Sequence, residues 1–255
     1  MAPTTDLRLV VHANNDWLDS SGNNNHGTAY GATFTTAAKL GSHAGLFDDI
    51  DDFVAIAAHA SLRPVRISID AWVYKTGAGV VFGTFFYGGG SQSYGYGLSI
   101  EADNKLYFTL GIAPTYKQAV SADTIPSNVW THIAGAYNGV DLRIYINGVL
   151  NGTPVAATTD ILYTSAYAPR IGRDPAGALF PYGGRIDELI VRGYGLSASE
   201  ITEIWNGGAG IEIGAAVAVA AATTTNGKIN IVRSRKRREE SEVLAVAKAF
   251  FKARG

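Results

Sequence analysis

Two Asn-Gly pairs constrain this chain most. Asn138-Gly139 and Asn147-Gly148 bracket a single short run, Leu142 to Ile146. An Asn-Gly pair supplies the positive φ values that a two-residue hairpin turn requires. The spacing therefore predicts that Trp130 to Tyr137 turns back into Leu142 to Ile146, and that this run turns again at Asn147. Ser68 to Tyr74 alternates as Ser-Ile-Asp-Ala-Trp-Val-Tyr, and Leu98 to Leu110 holds two apolar-rich runs around a turn at Asp103-Asn104. Short strands at this spacing predict an all-β sandwich or barrel. With 30 Gly, 13 Tyr and only 17% charged residues among 255, the composition also favours strands and tight turns over helices. One short helix is predicted, Ser197 to Trp205, with Ser197 as N-cap, Glu200 at the capping-box spacing and Asn206-Gly207 as the stop.

Several function classes fall away. The chain has no Cys, so it has neither disulfides nor thiolate metal sites. The five His residues, at 12, 26, 43, 59 and 132, show no metalloprotease spacing, and no nucleophile elbow or phosphate loop is present. The start, Met-Ala-Pro-Thr-Thr-Asp, has no basic and then apolar leader. The longest apolar run, Gly214 to Ala222, is about half of what a bilayer needs.

The net charge of −1 hides an asymmetry. Residues 1–210 carry 12 Lys/Arg against 18 Asp/Glu, a net −6, and residues 211–255 carry 9 against 4, a net +5. The tail, residues 207–255, is expected to hold a β-hairpin over about 211–232 with its turn at Asn226-Gly227. A basic run follows at Arg233, Arg235, Lys236, Arg237 and Arg238. A helix over about 239–254 is then expected, with Phe250 and Phe251 on its apolar face. A lone hairpin and a lone short helix are both marginal in water, so this extension is expected to serve assembly. No aromatics interleave with the basic run, which argues against single-stranded nucleic acid as its partner.

Six motifs in order across residues 7–206 resemble the laminin-G-like jelly-roll domains of the concanavalin-A-like lectin/glucanase superfamily. They are Asp19 to Gly27 (DSSGNNNHG), Leu46 to Val54 (LFDDIDDFV), Ile67 to Val73, the pair Trp130 to Gly139 and Leu142 to Gly148, Gly184 to Val191, and Leu196 to Ile201. The resemblance implies two antiparallel sheets packed face to face as a jelly roll over residues 1–206, with the C-terminal hairpin-plus-helix extension appended. It also implies adhesion or glycan binding rather than catalysis. Trp72, Trp130, Ile144, Ile146, Ile186 and Leu189 are expected in its core. The sequence departs from the family at Asp49, where Gly is usual.

Many members of the superfold hold a structural Ca²⁺, for which Asp19, Asn23, Asn25 and Asp187 have the right oxygens. The same Asp-Ser-Ser-Gly-Asn run also reads as an Asx-turn. Asp48, Asp49, Asp51 and Asp52 read as a turn. Two loops carry the residue types that bind glycans. One offers Tyr87, Gln92, Tyr94 and Tyr96, and the other Tyr167, Arg173, Asp174, Phe180 and Tyr182. For catalysis the nearest carboxylate run is Glu101-Ala-Asp103-Asn-Lys105, where Lys takes the third place. Asp187 and Glu188 are adjacent, so a regular strand would send them to opposite faces. These features point to a non-enzymatic lectin-like adhesion protein. Its expected place is the surface of a bacteriophage-type virion, anchored through the tail to itself or to other virion proteins and facing a cell-surface glycan. The alternatives are a free-standing extracellular glycan-binding protein and, third, a glycoside hydrolase.

Overall fold

The structure, a computed structural model, describes residues 3–85, 94–113, 115–163, 168–175 and 180–213, and the backbone of 223–225 and 228–230. The chain divides into two units, Met1–Ala215 and Ala216–Gly255. The strands of the first are β1 (Leu7–Val11), β2 (Gly27–Tyr30), β3 (Thr33–Thr35), β4 (Ala44–Asp48), β5 (Phe53–Ile56), β6 (Ile67–Lys75), β7 (Gly79–Gly83) and β8 (Tyr96–Ile100). There follow β9 (Lys105–Leu110), β10 (Lys117–Thr124), β11 (Trp130–Tyr137), β12 (Asp141–Ile146), β13 (Val149–Leu150), β14 (Val155–Ala156), β15 (Arg170–Ile171) and β16 (Gly183–Arg192), then helix α1 (Ala198–Trp205).

They build the expected two-sheet antiparallel sandwich. A nine-stranded sheet runs β13-β12-β11-β6-β16-β4-β3, with β1 added beside β16 and β14 beside β12. A seven-stranded sheet runs β10-β9-β8-β7-β15-β5-β2. Alternation sends Ile67, Ile69, Ala71 and Val73 of β6 inward to meet Val54, Phe82, Leu98 and Phe108 of the other sheet. The sheets meet closely where Phe108 seats over Gly135 of β11, because a Cβ on that glycine would overlap the Phe108 ring.

The two Asn-Gly pairs behave differently. Asn147 and Gly148 have φ of 49° and 80°, and Ile146 pairs with Val149, so this is the expected two-residue turn. At the other pair Tyr137 faces Leu142 across a four-residue connection. There the Asn138 side-chain oxygen accepts from Val140 N and Asp141 N at 2.8 and 3.1 Å, so Asn138 acts as an Asx-turn residue. Asp49, standing where the family has Gly, keeps the glycine-like backbone with φ 67°. Asp is one of the few residues that visit this region.

Of the expected core residues, Ile144, Ile186 and Leu189 lie between the sheets, with Ile146 packed at their margin. Trp72 and Trp130 do not. Trp72 is buried on the outer face of the nine-stranded sheet against His132 and the Lys39 ammonium, and Trp130 is half-buried there against Tyr74. They pair across β6 and β11 with residues of the outward set, Trp130 with Tyr74 and Trp72 with His132. A second layer covers this face. Helix α1, with the predicted Ser197–Glu200 capping box and an Asn206 left-handed stop, lays Ile201 and Ile204 on Ala134, Ala136 and Tyr145. Beyond it Ile211 and Ile213 pack on Val10 and Ile190, so this stretch of the expected extension belongs to the sandwich unit.

In the second unit, strands β17 (Thr223–Thr225) and β18 (Lys228–Asn230) pair antiparallel, with Thr225 opposite Lys228. The basic run, Phe250, Phe251 and the helix expected over about 239–254 lie outside the described residues. Among the described residues no helix is long and apolar enough to cross a membrane.

Candidate functional site

On the seven-stranded sheet the alternation that buries Phe82, Leu98 and Phe108 leaves their neighbours facing out. The register places Thr28, Ala55, Arg170, Gly83, Gly97, Thr109 and Gln118 opposite one another in a row, strand to strand from β2 to β10. The row is built of small and polar groups with a single cation. Gly83 faces Gly97, so no side chain rises from the middle of the row.

Above these glycines lies a shallow recess lined by Val80, Phe85, Ser99, Thr109, Asp174 and Phe180. Its wall combines apolar rings with hydroxyls that retain bonding capacity. Ser99 Oγ donates to Glu101 at 2.8 Å and can still accept, while Thr109 Oγ1 accepts from Gln118 Nε2 at 2.8 Å and keeps its own proton. A second recess of similar size lies among Ala58, His59, Arg63, Tyr94 and Tyr163. Its polar groups are more heavily engaged within the protein. His59 caps the turn at Ser61, and the Tyr163 hydroxyl donates to Pro64 O at 2.7 Å.

Beside the row, Tyr30 and Phe53 stack with ring centroids 4.6 Å apart and planes 10° from parallel. The Arg170 guanidinium stands 4.3 Å from the Phe53 ring centre and that of Arg173 5.9 Å. Tyr30 is 52% exposed.

The residues expected to bind glycan are redistributed. Tyr96 and Tyr182 are excluded, because both are fully buried in the core and donate their hydroxyls to Leu62 O and Arg185 O. Both lie at inward positions, Tyr96 in step with Leu98 and Ile100. Asp174 and Phe180 reach the first recess, Tyr94 lines the second, and Arg173 flanks Phe53. Tyr87, Gln92 and Tyr167 lie outside the described residues. Tyr30, Phe53, Ser99, Thr109 and Arg170 were not singled out from the sequence. The strand alternation Leu98-Ser99-Ile100 marks Ser99 as outward-facing, but cross-strand register cannot be read from one strand.

The proposed calcium ligands do not assemble into a cage. Asp19 spends Oδ1 on Val10 N and Ser21 N, and Oδ2 on Ser21 Oγ and Asn25 N, all within 3.0 Å. Asn23 and Asn25 donate their amides to Leu7 O and Arg8 O. Asp187 shares none of these partners and accepts from Lys39 N and Leu40 N at 2.8 and 2.9 Å. The Asx-turn reading accounts for the segment, whereas calcium needs six to eight converging oxygens. The Asp48 to Asp52 stretch is likewise a turn, with Asp48 Oδ1 accepting from Ile50 N and Asp51 N.

Asp187 and Glu188 are not parted as a regular strand would part them. A bulge against β6, with Glu188 at φ 50°, breaks the alternation, and both carboxyls come within electrostatic reach of His12. Glu188 holds His12 Nδ1 at 2.8 Å. Burial pushes Asp187 up from 3.8 to about 6 and Glu188 up from 4.5 to about 7, with contacts to His12 opposing both. For His12, burial is outweighed by the bond and charge of Glu188 together with Glu212 and Asp187, so its value rises above 6.5. All three folded-state values exceed the unfolded ones, so the native state binds extra protons between about pH 4 and 7. Stability is therefore fully present below that window and is lost as pH rises through it. The melting temperature should be higher at pH 5 than at pH 8, with Glu188 alone accounting for on the order of 3 kcal/mol. Glu188→Gln should flatten the slope. A wild-type melt that is level or rising over that range would contradict this.

The carboxylate run at Glu101 and Asp103 lies in the β8–β9 turn rather than along a strand. Asn104 N donates to Glu101 O, and Asp103 accepts from Lys105 N and the Tyr107 hydroxyl.

The model for the concanavalin A-like lectin/glucanases superfamily matches residues 48–202. No curated protein matches the sequence. Among solved structures, domain 4 of AbnA, a GH43 extracellular arabinanase from Geobacillus stearothermophilus in complex with arabinotriose, is 20% identical with a TM-score of 0.63, covering 78% of this chain and 97% of that one. The binding domain of Paraclostridial Mosquitocidal Protein 1 is 18% identical with a TM-score of 0.63, covering 80% of this chain and 52% of that one. The binding domain of Botulinum Neurotoxin DC, in complex with SialylT, is 15% identical with a TM-score of 0.55, over 80% and 52%. This chain thus spans about half of each toxin binding domain, and at these identities the likeness shows the fold alone. With more than half of its length matched by the family model, the chain belongs to the concanavalin A-like lectin/glucanase superfamily.

Proposed function

We propose that this protein is a non-enzymatic carbohydrate-binding module that takes a sugar chain on the outer face of its seven-stranded sheet. The observation that carries this reading is the row Arg170, Gly83, Gly97, Thr109 and Gln118 with the recess above it. A floor without side chains lets a ring lie close to the sheet, and hydroxyl and amide groups at its margin suit sugar hydroxyls. Binding is favoured over hydrolysis because Asp174 is the one acid among the described lining residues, whereas glycoside hydrolysis uses a flanking pair of carboxyls. The arabinotriose in one fold neighbour and the SialylT in another agree with this reading. The tail carries +5 against −6 for residues 1–210, and we extend the reading to attachment of the module, through that tail, to a larger particle.

The test is a glycan array probed with the full chain, followed by titration of the best ligand. Ser99→Trp fills the recess from an outward position and should weaken that binding by about tenfold or more, with the far-ultraviolet spectrum unchanged. A folded Ser99→Trp variant that binds like the parent would place the ligand elsewhere.

A further inference from the structure

We infer that Arg170 and Arg173 form an anion subsite at one end of this face, so that the preferred glycan carries a carboxylate or a sulfate. The inference rests on the reading of the face as glycan-binding and names the class of sugar it selects.

Two guanidinium groups stand over the same Phe53 ring here. No carboxylate lies within 4.0 Å of either one among the described residues, where the ion pairs found are all elsewhere. Each instead donates Nη1 to a main-chain carbonyl, Arg170 to Asp174 O and Arg173 to Asp51 O, both at 3.1 Å. Those bonds, with the Phe53 ring beneath, orient the guanidinium planes and leave each with further N–H donors. Arg173 Nε is buried with no partner. Burial and the neighbouring Arg173 charge, only partly offset by Asp174 and Tyr30, draw the Arg170 value below its usual range, so the two cations work against each other.

An anion set between the two guanidiniums would relieve that repulsion and meet planar donors suited to oxyanions. The position suits a sugar substituent. Arg170 faces Gly83 at the edge of the recess, and the half-exposed Tyr30, stacked on Phe53, offers a ring for the apolar face of a pyranose.

The experiment compares trigalacturonate with its neutral methyl ester, and a sulfated with an unsulfated galactose oligosaccharide, by calorimetry on the full chain. At least one anionic member should bind about tenfold or more tightly than its neutral twin, as charge-assisted hydrogen bonds require, and added salt should erode the gap. The two arms tell carboxylate from sulfate. The Arg170→Gln/Arg173→Gln double variant should abolish the preference. Arg173→Gln alone, which leaves the Arg170–Phe53 packing intact, should reduce the preference if the double variant is poorly folded. Equal binding of both twins, or a preference that survives in the variants, overturns the anion subsite while leaving the glycan-binding face standing. Binding of no glycan of either charge overturns both.

Discussion

Asp70→Ala should destabilise the sandwich by about 3–5 kcal/mol, read from urea denaturation. Asp70 lies on β6 beneath the second layer, 1% exposed, and ion-pairs with Arg192, which is wholly buried. Arg192 Nε donates to Pro3 O at 3.2 Å, while Nη2 has no partner. His132 Nε2 is 3.8 Å from the same carboxylate and is buried too, so it offers no negative charge in exchange. Truncating Asp70 therefore strands a guanidinium away from water. The pair itself need not be worth that much, because a buried pair's attraction is largely offset by desolvation. Replacing both partners, as Asp70→Ala with Arg192→Met, should recover a substantial part of the loss. If the single variant loses less than about 1 kcal/mol, the burial of this pair is wrong.

Phe108→Ala should cost a similar amount, about 3–5 kcal/mol, for a different reason. The ring bridges the two sheets and fills a notch shaped for it by Gly135, so its removal opens a void that neither backbone can close. Trp130→Ala, in contrast, should cost clearly less. Trp130 stacks edge-on with Tyr74 on the outer face and is only half-buried, so truncation exposes a surface and leaves no cavity between the sheets. Comparable losses at Trp130 and Phe108 would contradict the assignment of inner and outer faces.

That contrast shows what could be read from the sequence. Alternation along β6 and β11 identified the strands but not which of two alternating sets faces inward, and two tryptophans made the wrong set look like core. Helix α1 covers that face, so both faces of the nine-stranded sheet bury apolar groups and hydrophobicity alone does not tell them apart. Local signals did better. The Asn147-Gly148 turn and the Ser197–Glu200 capping box depend on neighbours within a few residues, and both appear as expected. The candidate site was least legible. Its row draws residues from strands as far apart as β2 and β10, and nothing in the chain reveals that Gly83 faces Gly97 or that Arg170 stands over Phe53. Tyr96 and Tyr182 misled for the complementary reason, since a loop rich in tyrosine does not show which of its rings turn inward.

Backbone amide shifts of the labelled full chain, followed as the best glycan from the array is titrated in, test the central claim most directly. The account predicts saturable shifts concentrated at Gly83, Gly97, Ser99, Thr109 and Arg170, on the outer face of the seven-stranded sheet. Shifts clustered instead around His59, Arg63 and Tyr94, or on the α1-covered face, would contradict it.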